Sequence, residues 1–328
     1  MDAVIYTGDG ISGRAVNTTT GFRPDFAWAK SRSVVGSSNI LMDSNRGNNK
    51  YLISESTGAE GTASDLTFTS TGVTWNNGAS LNNNGSTYVN WFWQAGQGTT
   101  STNTAGSITS TVSANPTAGF SIVTYTGTGA NATVGHGLGV APKMIICKSR
   151  TISYEWIVWH TGLTSAAYYI NLNGTASQAS VPALFQSTAP SSSVITLGTN
   201  VTVNASGASQ LIYAWSEIAG FSKFGSYIGN GSTDGPFVYT GFRPKFIMVK
   251  RTDAVGDWVI LDTTRSSYNA VFARLYPHLS QAEDTTPSII DILSNGFKLR
   301  IGIPYNNSSG TYVYMAFAEN PFKNANAR

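Results

Sequence analysis

The chain has 328 residues, only 11% of them charged, and a formal net charge of +3. That charge is spread along the sequence with no basic run, which excludes nucleic-acid binding by phosphate neutralisation. Eight Trp and 15 Tyr exclude a disordered chain, and no stretch approaches the ~20 apolar residues that span a bilayer, so no membrane insertion is expected.

The opening residues, MDAVIYTGDG, have neither the charged nor the apolar region of a signal peptide. Val4-Ile5-Tyr6 runs straight into the turn Thr7-Gly8-Asp9-Gly10. Strands are expected over Phe26 to Lys30, Ile40 to Asp43, Lys50 to Ile53, Leu66 to Phe68, Val73 to Trp75 and Tyr88 to Trp93. They are short apolar or alternating runs separated by Gly, Asn and Ser clusters every ~8–12 residues, the pattern of an antiparallel sandwich. Residues 96–117 are almost uncharged and read as a Ser/Thr/Gly linker with one edge strand at Ser107 to Val112.

After that linker the opening string returns. Tyr6 to Arg32, Tyr125 to Arg150 and Tyr227 to Arg251 each contain Tyr-x-Gly-x-Gly, a polar loop, a proline and an apolar strand. Pro24, Pro142 and Pro244 each lie six residues before a lysine: Lys30, Lys148 and Lys250. The chain is therefore one unit used three times, with expected boundaries 1–95, 118–219 and 220–328. Spacings of this size suit packed domains rather than solenoid repeats of ~20–50 residues. The expected fold is all-β, three tandem antiparallel sandwiches of jelly-roll or lectin-like type. The long linker predicts mobility between the first two units, and the short second joint predicts that the last two are apposed. Weak helical spacing at 163–175 and 268–283 predicts at most a turn or two of helix per unit. A hairpin through Ser294-Asn295-Gly296 is expected near the end.

Few residues carry chemistry. Cys147 lies in an apolar run and reads as a packed core thiol. His136, His160 and His278 have no metal-ligand spacing, and no metal or cofactor is expected. His160 reads as a sheet-end residue and His136 as a solvent-facing loop histidine. The run Gly8 to Gly13 fits Gly-x-Gly-x-x-Gly but is not followed by a helix, so it reads as a glycine turn. Asp43 and Asp262 end matching strands, each with an arginine nearby (Arg46, Arg265), and read as structural ion pairs rather than glycosidase acids. Most tryptophans sit in strands and read as core. Trp156 and Trp159 are three apart, point to opposite strand faces, and predict one exposed ring. The loops after the repeat turns differ between copies. A contact surface is expected there, at Asp9, Arg14, His136, Asn230 and Asp234, with Trp156 added.

The three units resemble a family of repeated β-sandwich (concanavalin- or lectin-like) modules in tail-fibre-like and virion structural proteins of tailed phages. The residues that carry the resemblance are the Tyr-x-Gly-x-Gly turn and the Gly-Phe-x-Pro-x-Phe strand opening at Gly21, Phe22, Pro24, Phe26 and at Gly241, Phe242, Pro244, Phe246. To these are added Ser294 to Arg300 and Gly310 to Phe322. The resemblance implies no catalytic residues. It implies a non-enzymatic virion protein assembled in the host cytoplasm, a tail-fibre or spike-like module contacting host-surface glycan. Its expected partners are other virion proteins, and it is expected as a homo-oligomer or in multiple symmetric copies. The alternatives are a capsid decoration or head-fibre protein and a polysaccharide depolymerase.

Overall fold

The computed structural model describes residues 1–63, 66–76, 81–286, 290–302 and 307–320. Strands take 43% of the chain and helices 3%, so the protein is all-β. Among the described residues six sheets form, one large and one small in each copy of the repeat.

The large sheets share an inner strand order. A leader strand (Asp2–Thr7, Phe120–Thr126, Ser222–Gly229) pairs with a closing strand (Thr87–Trp93, Ser209–Trp215, Gly310–Ala318). The closing strand pairs with a lysine-ended strand (Phe26–Ser31, Met144–Ser149, Pro244–Arg251), which pairs with a following strand (Ile40–Asp43, Ile157–His160, Trp258–Asp262). Against each large sheet lies a small one: Arg14–Asn17 with Gly72–Trp75 and Leu66–Phe68; Ala132–Gly135 with Val194–Leu197; Phe237–Tyr239 with Gly296–Leu299 and Ile290–Leu293.

The lysine-ended strands show why the large sheets are apolar on both faces. Side chains alternate across a strand. Phe26 and Trp28, Met144 and Ile146, and Phe246 and Met248 all enter one central core. Their alternates enter three separate outer cores: Ala27 and Ala29 in the first copy, Ile145 and Cys147 in the second, Ile247 and Val249 in the third. Each outer core lies between a large sheet and its small partner. The central core joins residues of all three copies, and Phe26, Phe120, Tyr213 and Trp215 meet ring to ring within it. Each ring so buried contributes about 1.5–3 kcal/mol.

Several expectations need correcting. The first two copies are not set apart, because the central core packs them together with the third. The 96–117 stretch contributes strands Ser101–Asn103 and Ser110–Asn115, which extend the second large sheet at its leader edge. The expected edge strand Ser107 to Val112 thus lies three residues further on, at Ser110–Asn115, where Val112 enters the second outer core. No helix forms over 163–175 or over the described part of 268–283. The two helices of the described chain, Pro182–Phe185 and Val201–Asn204, are single turns in the second copy. The expected hairpin is present, but Leu293 pairs with Gly296, so the turn is Ser294-Asn295 and Gly296 begins the next strand. Ile289, Pro321 and Phe322 lie outside the described residues.

Candidate functional site

The repeat turn is a clamp. Near the start of each closing strand stands a buried asparagine: Asn82, Asn204 or Asn307. Its Oδ1 accepts the N–H of Asp9 (3.1 Å), Thr128 (2.8 Å) or Asn230 (3.1 Å). Its Nδ2 donates to the carbonyl of Ile11 (2.9 Å), Ala130 (2.7 Å) or Ser232 (2.6 Å). The two glycines have different duties. A Cβ on Gly8, Gly127 or Gly229 would stand 2.3 Å from a backbone oxygen just after the clamping asparagine, and Gly10, Gly129 and Gly231 hold φ of +70, +73 and +71. The glycine-turn reading is therefore right, and the asparagines that fix it were missed. Their signal is faint: one Asn among many, three to five residues before each closing strand.

The expected contact residues do not come together. Asp9 pairs with Arg14 at 2.8 Å. The Ile11 N–H, then the Asn82 amide, hold its carboxyl down at about 2. Asp234 pairs with Lys298 at 2.8 Å, which lowers its carboxyl, and Asn230 closes the same loop by donating to the Asp234 carbonyl at 2.9 Å. His136 is not solvent-facing. It is fully buried, contacts the Ser191 carbonyl at 3.2 Å, accepts the Leu138 N–H at 3.3 Å, and burial lowers its pKa. Trp156 is also buried and donates Nε1 to the Ile53 carbonyl at 3.0 Å. Trp159 faces the other way and is buried too, because both faces of the sheet are covered.

The buried aspartates that end the following strands lie at the seams between copies, and the seams close a ring. Asp43 of the first copy meets Tyr213 of the second, His160 of the second meets Tyr314 of the third, and Asp262 of the third meets Trp91 of the first. The backbone repeats the pattern: the N–H groups of Glu60, Gln178 and Glu283 donate to the carbonyls of Arg150, Thr252 and Arg32, each at 2.8 Å. At the first seam Arg46 bridges Asp43 (2.5 Å) and Glu60 (3.1 Å), and Glu60 takes Arg150 at 2.9 Å. At the third, Arg265 bridges Asp262 (2.6 Å) and Glu283 (2.9 Å), and Glu283 takes Arg32 at 2.7 Å. The second seam has His160, Leu163, Gln178 and Thr252 at these positions, and Met315 where the others have Tyr213 and Trp91. Met315 offers no donor, and the histidine turns to the Tyr314 carbonyl at 3.1 Å instead. The lysines that end the central strands are buried at the same seams. Lys148 donates to Thr57 of the preceding copy at 2.8 Å and Lys250 to Thr175 at 3.1 Å. Burial brings all three lysines, Lys30 included, down to about 8.

One surface differs between copies without an internal partner to explain it. On the small sheets a buried valine (Val16, Val134, Val238) is flanked by two outward positions. These are Ala15 and Asn17, then Thr133 and Gly135, the latter buried under Asn103, then Phe237 and Tyr239. Ser107 covers the second-copy site through Thr133. In the third copy Phe237 is 44% and Tyr239 63% exposed. A Cβ on Gly296 would stand 2.9 Å from the Phe237 ring, so the ring packs against a bare glycine. Lys298 stands opposite Phe237, with Asp291 beyond it paired to Arg300 at 2.5 Å. This ledge of two rings edged by charged pairs is the candidate functional site. Sequence reading looked for exposed tryptophans and passed over it. Aligning the copies on their valines would have shown it.

The fold and these features define an all-β protein with β-sandwich-like architecture and threefold internal repetition. The chain belongs to the family described as domain of unknown function (DUF7483), whose model matches residues 1–321 across all three copies. No curated protein and no solved structure matches it.

Proposed function

We propose that the chain is a non-enzymatic virion structural protein of a tailed phage, built as three tandem jelly-roll or lectin-like sandwiches (1–95, 118–219, 220–328). In this reading it is a tail-fibre or spike-like module that contacts host-surface glycan through the third copy. The observation that carries the contact is the Phe237–Tyr239 ledge. Exposed aromatic faces stack on the C–H face of a sugar ring, and flanking charged groups hydrogen-bond its hydroxyls. Confinement of the rings to one copy supports a role beyond folding, since the other two copies fold without them. The seam carboxylates support the non-enzymatic reading: Asp43, Glu60, Asp262 and Glu283 are each held by an arginine in the ring.

The experiment is binding of the chain to host cells and to their purified surface polysaccharide. The comparison is with Phe237→Ala/Tyr239→Asn, which installs the residues of the first copy. Loss of binding with unchanged melting temperature supports the reading, and binding that survives the exchange removes the ledge from it. Release of reducing ends would instead establish a depolymerase. Density confined to the capsid lattice in a virion map would establish a decoration protein.

A further inference from the structure

The three leader strands occupy equivalent edges of the large sheets and are finished in three ways. In the second copy the edge is covered. Ser110–Asn115 pairs antiparallel with the leader, Thr111 opposite Thr124 and Val112 opposite Val123. In the third copy Lys223 stands near the head of the leader, and Gly225 and Gly229 interrupt its side-chain row. In the first copy no strand pairs with this edge among the described residues; at its head the Ala3 N–H donates to Asp2 Oδ1 at 2.9 Å and the Ala3 carbonyl accepts from Thr264. Asp2 is drawn inward to Lys245 and Thr19. What remains is Ala3-Val4-Ile5-Tyr6-Thr7, uncharged and without glycine or proline, with Ile5 41% exposed. A flat, uncharged edge of β-forming residues is a template for another strand.

We propose that this edge pairs with the same edge of a second copy of the chain, forming a two-fold dimer with one sheet continuous across it. Antiparallel pairing of identical strands is self-complementary, as a two-fold contact requires. Centred on Ile5, it sets Ile5 against Ile5, Val4 against Tyr6 and Ala3 against Thr7, so the central pairs are apolar and no charges face each other. The covered edge shows that the site has room. Asn45 of the first copy donates to the carbonyls of both Ile122 and Thr111, each at 3.1 Å, bridging leader and added strand. Thr264 occupies the matching place beside the open edge and donates to the Ala3 carbonyl at 3.4 Å. The low charge of the chain opposes association weakly.

Sedimentation velocity over a dilution series tests the pairing. The unmodified chain is expected as a dimer, and Ile5→Lys, which sets two ammonium groups face to face, as a monomer with unchanged far-ultraviolet dichroism. The register is tested by oxidation. Ile5→Cys is expected to form an inter-chain disulfide, while Thr7→Cys, which faces Ala3 of the other chain, is not; the native Cys147 is buried. A monomeric unmodified chain overturns the proposal, as does a dimer that survives Ile5→Lys. Cross-linking of the Thr7→Cys variant in place of the Ile5→Cys variant overturns the register.

Discussion

The hydroxyl of Tyr213 donates to the carboxylate of Asp43 at 2.7 Å across the seam between the first and second copies, and both groups are buried. Asp43 also holds Arg46, whose side chain has no exposed surface. Tyr213→Phe removes one bond from a buried carboxylate and is expected to cost about 1–3 kcal/mol. Arg46→Leu alone leaves Asp43 and Glu60 without their shared cation and is expected to cost roughly 3–5 kcal/mol. Denaturant titration of each variant measures both.

The neutral seam supplies a repair. Replacing Asp43, Arg46, Glu60, Arg150 and Tyr213 together by His, Leu, Gln, Thr and Met reproduces the second seam at the first. The fivefold variant is expected to be more stable than Arg46→Leu alone, because it leaves no charge buried without a partner. Additive losses across the five sites would refute the equivalence of the seams.

The second seam is sensitive to mild acid. Burial holds the His160 imidazole down at about 4, against 6.5 for a free histidine. Between those values the unfolded chain binds a proton that the folded chain refuses, so stability falls as pH drops from about 6.5 to about 4, by up to roughly 3 kcal/mol. His136 is shifted in the same direction by burial. Burial alone would raise the carboxyls of Glu60 and Asp2, but their cations and hydrogen bonds outweigh it and bring both down. Their contribution is therefore lost as pH falls from the ordinary carboxylate range toward their lower folded values, beneath the histidine window. Melting temperatures at pH 7 and pH 5 should therefore differ, and His160→Gln should flatten that difference. An unchanged slope would contradict this assignment.

The turn clamp separates two kinds of glycine. Gly8→Ala drives a methyl group against the Asn83 carbonyl and is expected to cost about 1–3 kcal/mol. Gly10→Ala meets only the Asn84 side chain but must hold φ +70, costing about 1–2 kcal/mol. Asn82→Ala orphans the Asp9 N–H and the Ile11 carbonyl together and is expected to cost at least as much as Gly10→Ala. Thermal melts rank the three.

The strands were legible because alternation and turn chemistry are local. Phe26 to Lys30 and Ile40 to Asp43 could be placed from their own residues, and the Asp–Arg pairs from spacing alone. The ring was not legible. Trp28 and Ala29 show that the lysine-ended strand is apolar on both faces, which predicts cover on both sides but does not say that another copy supplies it. The same blindness put Trp156 at the surface and His136 in solvent. The strand Ser110–Asn115 was half seen because only Val112 in it is plainly apolar. The ledge is marked only by Phe237 and Tyr239 standing where the other copies carry Ala15 and Asn17 or Thr133 and Gly135, a difference within a strand rather than in a loop.

One seam differs from its two neighbours, and that has a consequence for how the molecule can change. In a ring assembled from three identical chains, any substitution appears at every contact at once and must be tolerated three times over. Here each contact is encoded once. A change on one side of a seam needs an answer only from the residues facing it, and the neutral second seam stands beside two charged ones. Fusion in one polypeptide thus lets a threefold body diverge locally, so that one copy can acquire surface features the other two never carry.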